Sequence, residues 1–166
     1  MLATRCKLQE MSKELSTPYE HWILEGVPTE LLKPVLKAGY EIRFAAGEMP
    51  FLEGEASDGL YLILKGTLEL TAKGEDGEGV IAEAGPNDVI GDMGVLDGTH
   101  RSATARATSM CLAYFLPEEE FLDLLEGSAL VCMRLLVLLS HRLRSADKVL
   151  ASASSEAARA PERQSA

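Results

Sequence analysis

Ile90-Gly91-Asp92-Met93-Gly94-Val95-Leu96-Asp97-Gly98-Thr99-His100-Arg101-Ser102-Ala103-Thr104 is the stretch on which the reading of this chain turns. Val89-Ile90 ends an apolar run of strand character. Gly91 allows a sharp turn or a close backbone approach. Asp92 to Leu96 suits one short helical turn with an acid at its start. Arg101 then stands alone among small residues, before Ala103 to Ala107 continues as a strand.

Such a loop is suited to a small phosphate. Amide N–H groups at the start of a helical turn point outward unpaired and attract anions. A guanidinium adds a fork of donors that matches phosphate oxygens. Gly91 and Gly94 carry no side chain to block the approach. A carboxylate cannot hold phosphate, but it accepts hydrogen bonds from hydroxyls such as those of ribose. A plainer reading exists for each residue alone: Asp92 caps the helical turn, and Arg101 pairs with a surface acid.

The joint pattern resembles the phosphate-binding cassette of cyclic nucleotide-binding domains, known from catabolite activator-like proteins and kinase regulatory subunits. Gly91, Gly94, Val95, Arg101, Ser102, Ala103 and Thr104 fit the family pattern, and the loop length is typical. Asp92 departs from it, standing where the family usually has Glu. The resemblance extends upstream through Phe44-Ala45-Ala46-Gly47-Glu48 and through Leu52 to Gly66, and it covers about residues 27 to 150. It implies that Arg101 holds a cyclic phosphate, aided by the amides of Gly94 and Val95 and by the Ser102 hydroxyl. Asp92 would take the ribose 2′-hydroxyl, with Gly91 and Met93 completing the cassette. The base would face the long C-terminal helix, at Ser145 or Ala146. Cyclic AMP is the expected ligand, with no cofactor and no metal.

The rest of the chain agrees with this architecture. Short apolar runs separated by glycine-marked turns predict an all-β sandwich or barrel. Strands are expected at Tyr40–Phe44, Met49–Leu52, Leu60–Leu64, Thr67–Thr71, Val80–Ala84, Val89–Ile90, Ala103–Ala107 and Cys111–Leu116, with Lys73–Gly79 as a hairpin loop. The fold class is therefore mainly β with flanking helices: a β-sandwich or jelly roll (a double-stranded β-helix) carrying a long C-terminal helix. Residues 1–26 form an N-terminal helical extension in two pieces, one bearing Leu8, Met11 and Leu15 and one over Tyr19–Leu24, where Trp22 is a packing residue. Pro28 opens a helix ending near Leu36. Pro117, followed by three acids, opens another, as proline and negative charge favour a helix N-terminus. Residues 27–150 make up the cyclic nucleotide-binding domain and residues 151–166 a disordered Ala/Ser-rich tail.

The helix from Ala129 to Leu150 carries Cys132, Leu136, Leu139, Leu143, Ala146 and Leu150 at alternating spacings of four and three, the seam of a coiled coil. A homodimer through residues 129–150 is expected from it, the alternative being that the apolar residues of this helix pack on the β-sandwich. In catabolite activator-like proteins a helix-turn-helix domain would follow, and this sequence ends instead. A net charge of −10 without a dense Lys/Arg run argues against nucleic acid and anionic membrane as partners. The longest apolar run is too short for a bilayer. Cys6, Cys111 and Cys132 have neither metal spacing nor a disulfide framework, which points to the cytoplasm. His21, His100 and His141 are scattered and no nucleophile has a recognisable base, so no enzyme activity is expected. The expected function is a sensor acting through an unidentified protein partner. The alternative is a degenerate cyclic nucleotide-binding fold serving as a ligand-independent scaffold.

Overall fold

The computed structural model describes residue 15, residues 17–74 and residues 77–159, with the backbone alone for 152–159. In chain order the elements are a 3₁₀ turn (Pro18–Glu20), helix α1 (Thr29–Ala38), strands β1 (Tyr40–Phe44), β2 (Gly59–Lys65), β3 (Leu68–Gly74), β4 (Gly77–Ala84) and β5 (Val89–Ile90), helix α2 (Asp92–Asp97), strands β6 (Thr104–Ala107) and β7 (Cys111–Pro117), and helices α3 (Glu118–Gly127) and α4 (Ala129–Arg159). The expected first helix lies outside the described residues except for Leu15. That residue is buried, and its N–H donates to the Leu64 carbonyl at 2.8 Å.

The strands form two antiparallel sheets, ordered β1-β7-β2-β5 and β4-β3-β6. Alternation explains how they share one core. Successive side chains of a strand point to opposite faces. Phe44 from β1, Tyr61 and Ile63 from β2, and Cys111, Ala113 and Phe115 from β7 meet Leu68 of β3 and Ala105 and Ala107 of β6 in one buried cluster. Tyr61 is its aromatic hub, with ring centroids 5.1 Å from Phe115, 5.9 Å from Phe44 and 6.0 Å from Phe51. The opposite face of the first sheet is also dry. Leu60, Leu62, Leu64 and Leu116 are fully buried, with α3 packed on β2 and β7 through that side and α1 packed on β7 and α3. This is why β2 reads as an unbroken apolar run rather than an alternating one. The Tyr114 hydroxyl donates to the Leu36 carbonyl at 2.7 Å and ties α1 to β7.

Several expectations need correction. Met49–Leu52 is not a strand. Only Phe51 makes an isolated bridge, to Ala105. Pro50 lacks an N–H and restricts the residue before it, so the segment cannot sustain a ladder. Tyr19–Leu24 is not a second helix but a 3₁₀ turn at Pro18–Glu20 followed by hydrogen-bonded turns. Trp22 is half-buried, and its indole Nε1–H donates to the Asn87 carbonyl at 2.8 Å, so it does more than fill space. The β3–β4 hairpin is tighter than expected, because the strands extend to Gly74 and from Gly77.

The chain divides into two units, one up to Ser128 and one from Ala129. The second is α4, which runs to Arg159 instead of stopping near Leu150. Ala, Glu and Arg are strong helix formers, so a segment with no apolar stripe to bury still continues the helix. Along α4, Leu136, Leu143 and Leu150 recur every seven residues and are each more than half exposed.

Candidate functional site

Arg101 is the centre of the site, and backbone pairing places it there. The loop before β2 and the loop after α2 run antiparallel. Ala56 bridges His100, the Arg101 N–H donates to the Glu55 carbonyl at 2.8 Å, and the Gly54 N–H donates to the Arg101 carbonyl at 2.9 Å. Residues more than forty positions apart in the chain are thereby brought into contact.

The Arg101 side chain is 2% exposed. Its Nη1 donates to the carbonyls of Gly59 at 2.6 Å and Gly91 at 2.9 Å, and its Nη2 donates to Asp58 Oδ1 at 2.7 Å. The guanidinium carbon lies 4.5 Å from the centroid of the Phe51 ring, within cation–π range. Three of its five donors are thus used, two by carbonyls and one by a carboxylate. The Nε–H is buried and has no partner among the described residues. A charged donor buried without a partner is costly. The uncommitted Nε–H and the remaining Nη2 N–H are the kind of fork that takes two oxygens of one anion.

Gly91 makes this possible in two ways. Its φ of +79° belongs to the left-handed region, where other residues are strained. A Cβ there would also run into Arg101 Nη1. Gly91 is the residue before α2, and Asp92 is the first residue within it, with no side-chain cap on the helix. The plainer reading of Asp92 as an N-cap therefore does not hold. Asp92 itself is buried, 1% exposed. Gly94 packs on Ser57, where a Cβ would come within 3.0 Å of the Ser57 Cβ. Val95 is buried, and as the fourth helical residue it falls where amides begin to bond within the helix. Met93 is half exposed. The Ser102 hydroxyl contacts only its thioether, at 3.8 Å, a weak donor–acceptor pair.

Gly91 thus lies against Arg101 and Gly94 against Ser57, Asp92 and Val95 are buried in the same short helix, and Met93 and Ser102 are exposed beside it. Ser145 and Ala146 lie on α4 in the other unit, where the Ser145 hydroxyl donates to the His141 carbonyl at 3.1 Å. Sequence reasoning missed Asp58, the Gly59 carbonyl and Phe51. Residues 53–58 read as an ordinary polar turn, and no local pattern marks an acid that pairs with an arginine 43 positions away. Beside them, burial pushes the Tyr61 hydroxyl up to about 12, with the Asp58 carboxylate adding to the shift. Tyr61 is therefore a neutral core residue at any physiological pH.

Comparisons with known proteins show the family. Residues 41–128 match the model of the cyclic nucleotide-binding domain, and the chain belongs to that family. It is 35% identical over 117 residues to the cyclic AMP receptor protein of Thermus thermophilus, covering 70% of this chain and 54% of the relative. It is 26% identical over 130 residues to a CRP-like cAMP-activated global transcriptional regulator of Mycobacterium tuberculosis, covering 78% of this chain and 58% of the relative. The crystal structure of the Thermus thermophilus catabolite activator protein superposes with a TM-score of 0.67 at 31% identity, covering 80% of this chain and 62% of that one. The two sheets are therefore the jelly roll of this family. The chain spans a little over half the length of these curated relatives. Among the described residues, no helix is long and apolar enough to cross a membrane.

Proposed function

We propose that this chain is a cyclic nucleotide sensor, with cyclic AMP as its ligand, that acts through a protein partner. The observation that carries this reading is Arg101, held in the interior with a buried Nε–H that has no partner among the described residues. A cyclic phosphate supplies the missing acceptor. In this reading the Asp92 carboxylate accepts from the ribose 2′-hydroxyl, and Ser102 lies against the phosphate from the rim. The names of the Thermus thermophilus and Mycobacterium tuberculosis relatives support cyclic AMP over other ligands.

A thermal-shift screen tests this directly, because a ligand bound only by the folded state raises its melting temperature. Cyclic AMP at a hundred times its Kd should add roughly 2.7 kcal/mol of stability. Cyclic GMP and 2′-deoxy cyclic AMP should give smaller shifts. No shift with any cyclic nucleotide at millimolar concentration refutes the sensor reading.

A second reading, a ligand-independent scaffold, draws on the same residue. Asp58 and two carbonyls already hold Arg101, so its buried charge is balanced without a ligand. The absence of any shift in the screen is the outcome this reading requires.

The exposed heptad of Leu136, Leu143 and Leu150 supports self-association of α4 in a coiled coil. Light scattering should give a dimer mass for the wild type and a monomer mass for Leu143→Glu. Equal masses exclude the seam.

A further inference from the structure

We infer that Asp58 selects the ligand by its charge, admitting a phosphate that carries one negative charge and disfavouring one that carries two. This inference rests on the sensor reading, since it concerns the phosphate held by Arg101.

Residues 53–58, just before β2, carry three acids, and the fold uses them differently. A Glu53 carboxylate oxygen accepts from the Lys73 N–H at 3.0 Å. A Glu55 carboxylate oxygen accepts from the Leu52 N–H at 2.8 Å. These two stabilise the loop itself. Asp58 alone reaches the guanidinium, at 2.7 Å from Nη2, and its side chain is 74% exposed while that of Arg101 is 2% exposed. Asp58 therefore approaches Arg101 from the solvent side, on one of the two nitrogens that a phosphate using the Nε–H fork would share.

Two oxygens bound to one guanidinium lie within a few ångströms of each other. Asp58 balances the charge of Arg101, so the pair presents no net positive charge to an incoming anion. The attraction that remains is the directed hydrogen bonding of the free donors, which is the same for any phosphate oxygen. The repulsion from Asp58 grows with the charge of the ligand. A cyclic phosphodiester has one ionisable oxygen and one negative charge. A phosphate monoester loses its second proton near pH 6 and approaches two charges above neutrality. At a separation of about 6 Å and an effective dielectric between 40 and 80, each extra ligand charge costs roughly three- to tenfold in affinity. Asp58 thus discriminates a cyclic nucleotide from the linear monophosphate formed when its ring is hydrolysed, a distinction that the base and ribose contacts cannot make.

Titration calorimetry at pH 7.5 with cyclic AMP and with 5′-AMP, on wild type, Asp58→Asn, Asp58→Ser and Asp58→Glu, tests this. Asp58→Asn keeps an oxygen that can accept from Nη2, and a melting curve for each variant confirms the fold. The ratio of the 5′-AMP Kd to the cyclic AMP Kd should fall roughly three- to tenfold in Asp58→Asn and Asp58→Ser. It should be preserved in Asp58→Glu, which keeps the charge. An unchanged ratio in both neutral variants, with cyclic AMP still bound, overturns the role of Asp58 and leaves the sensor reading intact. If no protein binds cyclic AMP, both fail together.

Discussion

Two buried basic side chains, Arg101 in the cassette and His21 in the N-terminal segment, are treated in opposite ways by the same fold. Arg101 keeps its charge. It has a carboxylate, two carbonyls and an aromatic face around it, and donors to spare. His21 is fully buried and gives its charge up. Desolvation lowers its pKa to about 4, against smaller opposing effects from the backbone carbonyl groups of Asp88 and Asn87. Its Nδ1 accepts from the Ile23 N–H at 3.4 Å, which leaves the proton on Nε2 to donate to the Asp88 carbonyl at 3.3 Å. The neutral ring anchors the N-terminal segment to the turn at Gly85–Asp88, as does the Trp22 bond to Asn87. A group with no counter-ion is made neutral and used for packing. A group held charged inside the protein needs a ring of acceptors, and the unfilled part of that ring is where a ligand can act.

Substitutions at these two places would sharpen or break the contrast. The largest effect should come from Arg101→Ala. Cyclic AMP affinity should drop by about 2 to 5 kcal/mol, the cost of removing one partner from a buried charge pair. A calorimetric loss under tenfold would show that Arg101 is only a structural cation, balanced as His21 is packed. Gly91→Ala comes next. A methyl group at a φ of +79° pushes into Nη1 of Arg101, and the variant should lose roughly 3 kcal/mol of stability in urea unfolding. Loss of less than 1 kcal/mol (roughly the cost of a mild backbone change) would mean that the guanidinium has room to shift.

The third effect is a pH dependence confined to the N-terminal segment. The folded pKa of His21 lies below its ordinary value of 6.5, at about 4. Between those values the unfolded chain binds the proton and the folded chain does not, so stability rises with pH across that window. As pH falls from 6.5 to about 4, the contribution of His21 should fade, by about 3 kcal/mol in total. Urea unfolding at several pH values should show this slope in the wild type and a shallower one in His21→Gln. Equal slopes would assign the acid sensitivity to other groups.

Much of this molecule was legible from its residues in order. Period-two alternation in Tyr40–Phe44, the apolar run at Leu60–Leu64 and the glycine-bounded turns are local properties, and they located six of the seven strands to within a few residues. The seventh, β4, was located too, and both its start and the end of β3 extended into the expected loop. The contact of Gly91 with Arg101 falls in a stretch that local reading singled out for the same reason, since the two sit within eleven consecutive residues. Local reasoning misjudged Met49–Leu52, where apolar residues suggested a strand that Pro50 prevents, and the end of α4, where helix propensity carried the chain to Arg159.

What only the tertiary structure decided is the chemical state of the groups that the sequence named. The residues alone could place an arginine in a phosphate-binding pattern. They could not say that Asp58, 43 positions away, would meet it at 2.7 Å, or that Gly59 and Gly91 would turn their carbonyls toward it. Nor could they say that His21 would be buried without a counter-ion among the described residues while Arg101 would be buried with one. Charge state and hydrogen-bond satisfaction depend on neighbours and on exclusion of water, and these are set by long-range strand pairing. The local sequence determines which groups are present, and the packing of the two sheets determines which of them still need a partner.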